Sequence, residues 1–374
     1  MDMITKIPVV LVQDDHLAFS GADAASHPWL LRIGFVSLLQ HNLALLAEEG
    51  FRTAYVQVRE NQEKLHSEVR KLKIPGMQIK VVQTREHTSH VKILRHIAAK
   101  VPAQSYVVLA GTVRVLSSLR PFLHQHRQGE GVVSMLVRPL YSGARLEQAR
   151  ALQAHLTSAE KREEHWQHYP AGVYAIDAEV LRSAAFRTAD AALPFCFSTA
   201  TLRSIELAAV SDELYSTEEF LQANLHWAEE QAREHGNSFI TSGGEHAPLR
   251  IGPVIIHPDA EVSASAILIG PAVIAAGSRV ESRSVIMRSV VREGAIIKTG
   301  AVVQDAWVAR NAVVKPEKKV RDRIVRGVSR TQALSSPFRD FTTSRLHEEE
   351  TGGQQTAAAP AVQRVLGRFL DTSV

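Results

Sequence analysis

A repeat of six residues between positions 256 and 314 constrains this chain more than any other feature. Apolar residues stand at Ile256, Val262, Leu268, Ile274, Val280 and Ile286, then, after a four-residue step, at Val290, Ile296, Val302, Val308 and Val314. Four positions after most of these anchors comes a small residue: Ala260, Ala266, Ala272, Ser278, Ser284, Gly294, Gly300, Ala306 and Ala312. A half-buried strand repeats every second residue and a helix about every 3.6, so a period of six fits neither. It predicts a hexapeptide β-helix, with each anchor pointing into a narrow prism and the small residue letting the chain turn a corner. The short step after Ile286 predicts a local irregularity, and the regularity ends near Pro316.

The residues before the repeat alternate strand and helix signals. Val9–Val12 reads as a buried strand running into Gln13, Asp14 and Asp15. Ser37 caps a helix over Leu38–Glu49 that Gly50 stops. Further strands are expected at 53–58, 78–82, 106–110 and 131–137, with helices at 62–72 and 89–100 between them. This pattern predicts a mainly parallel sheet covered by helices on both faces. Ligands on such sheets sit beyond the carboxyl ends of the strands, here 13–21 and Gly111–Thr112. The expected organisation is an α/β domain over 1–245, a β-helix over 250–316 and a largely flexible tail over 317–374. The tail opens with a basic run, Lys318, Lys319, Arg321, Arg323, Arg326 and Arg330. It continues through an acidic and then Gly-, Gln- and Ala-rich stretch to a short amphipathic segment at 362–370.

Composition narrows the classes. Of 374 residues, 43 are Lys or Arg and 39 Asp or Glu, and the net charge of +4 is thinly spread. A nucleic-acid binder concentrates its basic residues on one surface, so no nucleic-acid partner is expected despite a pI near 9.2. The 45% of hydrophobic residues suits a globular chain. The single cysteine, Cys196, makes no internal disulfide, and its flanking Phe195 and Phe197 mark it as a packing residue. No apolar run is long enough to span a membrane and no secretion signal is recognised, so a cytoplasmic location is expected.

Four local patterns, in order, carry a family likeness. They are Pro28-Trp-Leu-Leu-Arg-Ile-Gly34 with Ser37; Val107-Val-Leu-Ala-Gly-Thr112; Ala171-Gly-Val-Tyr174 with Asp177; and Ser216-Thr-Glu-Glu219 with Gln222-Ala-Asn224. With a Rossmann-like α/β domain followed by a hexapeptide β-helix, the chain resembles the sugar-1-phosphate nucleotidyltransferases, such as the mannose-1-phosphate guanylyltransferase and glucose-1-phosphate adenylyltransferase groups. The resemblance implies a left-handed β-helix. It also implies a reaction in which a sugar phosphate attacks the α-phosphorus of a nucleoside triphosphate and pyrophosphate leaves. The family neutralises the phosphates with a glycine-rich loop, a basic residue in that loop, a lysine near the first helix and Mg2+ on two aspartates.

This sequence departs from the family at each of those places. Gln13-Asp-Asp-His-Leu-Ala-Phe-Ser-Gly21 replaces the glycine-rich loop, and no lysine stands between Lys6 and Lys64. Thr112 occupies the place of one metal aspartate, and the second falls at Leu214 when Thr217 is matched; Asp212 and Glu213 lie close by. The expected function is therefore a catalytically degenerate homologue, a nucleotide-sugar-sensing, regulatory or scaffolding subunit that works without a cofactor. Gly111, Thr112, Ala171 and Gly172 are the expected ligand-binding residues. The alternative is an active transferase with a rebuilt site, in which Asp14 or Asp15 with Asp212 holds Mg2+ and Arg32 meets phosphate. The expected partners are a nucleotide or nucleotide sugar and other subunits, the same or different, joined through the β-helix.

Other readings carry less. Hexapeptide repeats also occur in acyltransferases with a catalytic histidine, but the repeat here contains only His257, in its opening turn. His87, His90 and His96, and His165 with His168, could set two metal ligands on one face, yet no Cys or carboxylate partner stands at zinc spacing. A pure interaction protein remains the third class.

Overall fold

The computed structural model of the chain describes residues 3–13, 27–129, 132–139, 168–182, 193–197, 201–207, 210–234, 240–241 and 247–326. The chain divides into two compact units, Met1–Val328 and Ser329–Val374, and the second lies outside the described residues. The tail features expected beyond 326 lie there too.

Seven strands form the first sheet: β1 (Val9–Val12), β2 (Thr53–Arg59), β3 (Gln78–Thr84), β4 (Ser105–Ala110), β5 (Val133–Pro139), β6 (His168–Asp177) and β7 (Leu202–Glu206). Their spatial order is β7-β5-β6-β4-β1-β2-β3. All neighbours run parallel except β6, which is antiparallel to β4 and β5. The central strands β1, β2 and β4 are buried on both faces, which is why they read as nearly continuous apolar runs, whereas the edge strands β3 and β7 are more exposed and polar. Val9 and Leu11 join one core cluster, Val10 and Val12 the other. The helices are α1 (Leu38–Glu48), α2 (Glu63–Lys71), α3 (His90–Lys100), α4 (Arg120–Arg127), α5 (Ala178–Arg182) and α6 (Thr217–Glu234). α3 and α5 cover the second cluster and the other four the first. Ser37 Oγ caps α1 by accepting from Gln40 N at 3.2 Å, and Gly50 ends it with φ +107°.

The repeat builds three stacked sheets of parallel strands that the chain visits in rotation, an arrangement consistent with a β-helix. The first contains Leu249–Ile251, Ile267–Ile269, Val285–Met287, Val302–Gln304 and Lys319–Arg321. The second contains Val254–Ile256, Ala272–Ile274, Val290–Val291, Trp307–Val308 and Ile324–Val325. The third contains Glu261–Val262, Arg279–Val280, Ile296–Ile297 and Val313–Val314. Leu268, Ile274, Val280, Ile286, Val291, Ile297, Val303, Val308, Val314 and Val320 fill the interior. Burying each contributes about 2 kcal/mol.

The phase corrects the sequence reading. Val291, Ile297 and Val303 point inward, not Val290, Ile296 and Val302. The step after Ile286 takes five residues, not four. Adjacent apolar pairs conceal this, because either member could serve as the anchor. Val290 is buried as well, but against the α/β region. Pairing continues across the step: Leu268 opposes Ile286, and Ile286 opposes Val303. The five-residue step recurs from Val303 to Val308 and from Val320 to Val325, so the expected single irregularity is instead a repeating feature: one short step in every coil after the first. In the corrected phase the repeat continues to Val320 and Val325, so the two strands after Pro316 add to the stack rather than opening the tail.

Seven of the described corners have a left-handed residue followed by a small one. Gly277, Arg283, Arg288, Gly294, Gly300, Asp305 and Asn311 have positive φ, and Ser278, Ser284, Ser289, Ala295, Ala301, Ala306 and Ala312 follow them, fully buried. A Cβ on Gly294 would strike Asn311 Oδ1, because the side chain of one coil lies across the glycine of the coil before it. α6 rests against the second sheet. Val273, Val290 and Trp307 there join the core of the α/β region, and the Arg292 guanidinium lies 4.8 Å from the Trp307 ring centre. Among the described residues no helix is long and apolar enough to cross a membrane.

Candidate functional site

The strand order reverses direction between β1 and β4, and on open sheets of this kind ligands bind beyond the carboxyl ends of the strands at such a point. Gly111 N donates to Val12 O at 2.9 Å, and Trp29 Nε1 donates to Gly111 O at 2.7 Å. Gln13, the residue after β1, is fixed on every side. Its backbone N donates to Gln57 Oε1 at 2.8 Å. Its Nε2 donates to Gln57 O and to Gln62 Oε1, and its Oε1 accepts from Gln62 Nε2. Gln57 Nε2 donates on to Thr84 Oγ1 at 3.1 Å. Leu193 N donates to His90 Nδ1, which leaves the ring proton on Nε2, 2.6 Å from Gln13 O. His90 is thus a buried structural donor, not a metal ligand. Burial pushes the nearby His27 imidazole down to about 4, so it is neutral where most proteins work. Where the resemblance implies cationic donors for phosphate, this edge presents amides, a hydroxyl and neutral imidazoles.

The four residues expected to bind ligand come together. β4 and β6 pair with Leu109 opposite Val173, which sets Gly111 and Thr112 beside Ala171 and Gly172. This corner is tightly packed. Ala171 is fully buried, and a Cβ on Gly172, at φ +67°, would overlap Val113 and crowd Ala110 O and Glu213. Thr112 Oγ1 is closed off from solvent and has no hydrogen-bond partner among the described residues. Leu214 N donates to Thr112 O at 2.9 Å. The two positions that the resemblance assigns to metal carboxylates are therefore spatial neighbours, and they carry a hydroxyl and an alkyl group.

Asp14 and Asp15 lie outside the described residues. Asp212 sits on Ser211–Glu213, a short strand paired with Val113–Val115, and its Oδ1 is held by Arg138 Nη1. Glu213 Oε1 accepts from Tyr215 Oη at 2.8 Å. Arg114, buried between Val113 and Val115, donates to Ala223 O and reaches Glu230 at 3.4 Å. Burial lowers its pKa, against the opposing pull of Glu230 and Asp212. Arg138, Tyr169, Asp212, Glu219, His226 and Arg288 line a groove of about 1010 Å³ that extends from here to the stack. Arg32 lies elsewhere, paired with Glu293 of the stack at 3.4 Å. Mg2+ does not fit the described residues: Thr112 and Leu214 offer no carboxylate, Asp212 is already neutralised, and no group of three metal-binding side chains occurs among them.

The other sequence candidates fall into structural roles. Cys196 is buried, and burial pushes its thiol up to about 12. His257 stacks edge-on against Phe35 at 4.8 Å. His168 pairs with Glu206 at 2.8 Å, and His165 lies outside the described residues. Sequence reasoning missed Gln57 and Arg114, although each is a polar residue inside an apolar strand. Such a residue must find a partner when buried.

The four patterns behind the resemblance meet in space. Trp29 bonds to Gly111, Gly172 packs on Ala110 and Glu213, and Gly34 N donates to Asn224 Oδ1 at 2.8 Å. Ser216 and Glu219 form a reciprocal cap at the start of α6: Glu219 N donates to Ser216 Oγ, and Ser216 N to Glu219 Oε2. A scan of the sequence against protein-family models gives no match, and a search of curated proteins gives none either.

Proposed function

We propose that this chain is a catalytically degenerate sugar-nucleotidyltransferase homologue, a Rossmann-like domain with a left-handed β-helix, acting as a nucleotide-sugar-sensing, regulatory or scaffolding subunit. The observation that carries the reading is the contact between Thr112 and Leu214. Transfer of a nucleotidyl group depends on neutralising the phosphates, and the metal pair does much of that work. A hydroxyl and a leucine at the two metal positions remove it. Gln13 and its glutamine partners fill the neighbouring edge with neutral groups already bonded to one another. A ligand at this edge would be held by hydrogen bonds and apolar contact, without a metal.

The test is thermal unfolding of the full chain against nucleoside triphosphates and nucleotide sugars, with and without Mg2+, beside an assay for pyrophosphate release. A ligand that binds the folded state raises the midpoint. The expected result is a rise with a nucleotide sugar that Mg2+ does not change, and no pyrophosphate release. A Mg2+-dependent rise with one triphosphate, accompanied by pyrophosphate release, would overturn the degenerate reading.

A further inference from the structure

The outer edge of the first sheet carries a surface that the candidate site does not explain. β3 is the edge strand and has seven residues, long for an exposed edge. Gln78 N donates to Arg52 O, and Thr84 O accepts from Glu60 N, so these residues turn their backbone groups toward β2. In a parallel pair that direction alternates, so the N–H and C=O groups of Ile79, Val81 and Gln83 point away from the sheet. Beside this edge lies a groove of about 650 Å³. Its apolar floor includes Val69, Leu72, Met77 and Val81, Arg70 and Lys73 flank it, and among the described residues no carboxylate lines it; Lys80 borders it too, with its ammonium over the Tyr55 ring on the opposite face of the sheet.

We infer that the β3 edge is a docking site for an acidic, extended peptide segment of another protein, added as an eighth strand. The outward backbone groups supply a hydrogen-bond ladder, and alternate apolar side chains of the peptide enter the groove. The alternating peptide then sets its carboxylates on the other face, where Lys80 meets them, and Arg70 and Lys73 beside the groove add attraction at longer range. The same cations oppose self-pairing, because two copies of this edge would set like charges against one another. The inference is independent of what the candidate site binds.

The test uses the full chain and a fluorescein-labelled peptide alternating Glu and Val over the length of β3. Two controls replace every Glu by Lys, or the central Val by Pro. The acidic peptide is expected to bind, more weakly as salt rises, and to slow hydrogen exchange at the amides of Ile79, Val81 and Gln83. Both controls are expected to fail. Lys73→Glu with Lys80→Glu should weaken binding about ten-fold without moving the unfolding midpoint. Val81→Pro removes one outward N–H and no sheet hydrogen bond, and should abolish the ladder in a folded protein. Absence of binding, or binding that leaves those three amides unprotected, would overturn the inference. So would equal binding of the Pro peptide, or a dimer that Lys80→Glu dissociates.

Discussion

The α/β region and the stack are held together over very different distances along the chain. In the stack, a residue touches its counterpart one coil away, as Leu268 touches Ile286. In the α/β region, Gly34 bonds to Asn224, 190 residues away. Local contacts leave a periodic trace, because each coil solves the same packing problem with the same residue types. Distant contacts leave isolated residues whose meaning depends on a partner the chain reaches much later. The two regions should therefore respond differently to substitution.

The largest effect is expected where the regions meet. Trp307 is buried between Arg292 and the core it shares with α6. Trp307→Ala should cost about 4 kcal/mol, read by urea unfolding, and should destabilise both regions together. Two separate transitions would break the comparison at its joint. Next is Gly34, at φ +60°, where a Cβ would stand 2.5 Å from the Trp227 ring. Gly34→Ala combines backbone strain with overpacking and should cost about 3 kcal/mol. Gly277 in the stack has nearly the same φ, +65°, but the nearest atom to its Cβ is 4.0 Å away. Gly277→Ala should cost only about 1 kcal/mol. Equal losses at the two glycines would show that strain alone governs both.

A smaller effect depends on pH. Asp177 is partly buried, and although burial raises its pKa, hydrogen bonds from His126 and Ser105 hold it below the usual carboxylate range. A depressed native pKa adds stability above the unfolded value of about 3.9, and that stability disappears as pH falls through the native value. Asp177→Asn should therefore destabilise the protein at neutral pH, with the two stability curves converging in acid. Parallel curves would assign the loss to packing. The smallest effect is expected at Arg279, exposed on the stack and paired with Glu261. Arg279→Gln should leave the midpoint unchanged within error, because exposed pairs contribute little.

Much of the stack was legible in the sequence, and its errors are instructive. The period was visible, but the phase was not, since Val290–Val291, Ile296–Ile297 and Val302–Val303 each offer two apolar candidates. The corners hid for the opposite reason. Arg283, Arg288 and Glu317 adopt positive φ against their own preference, and only the closed coil makes this worthwhile. At the candidate site, the replacement at Thr112 could be read from the residues alone. Its contact with Leu214 and the bond from Arg138 to Asp212 could not, because each joins residues brought together only by the fold.

α6 acts on the stack as a splint of fixed length. It lies against the strands that begin at Val254, Ala272, Val290 and Trp307. Val290, Trp307 and Ile324 occupy the same position on successive coils. The first two are buried, whereas Ile324 is 43% exposed. The last described coil thus lies beyond the strands that α6 supports. A linear array whose units contact only their neighbours melts from its free end. Fraying should start at Ile324 and halt at Trp307, where the splint begins, so that α6 sets how much of the array can open while the rest stays folded.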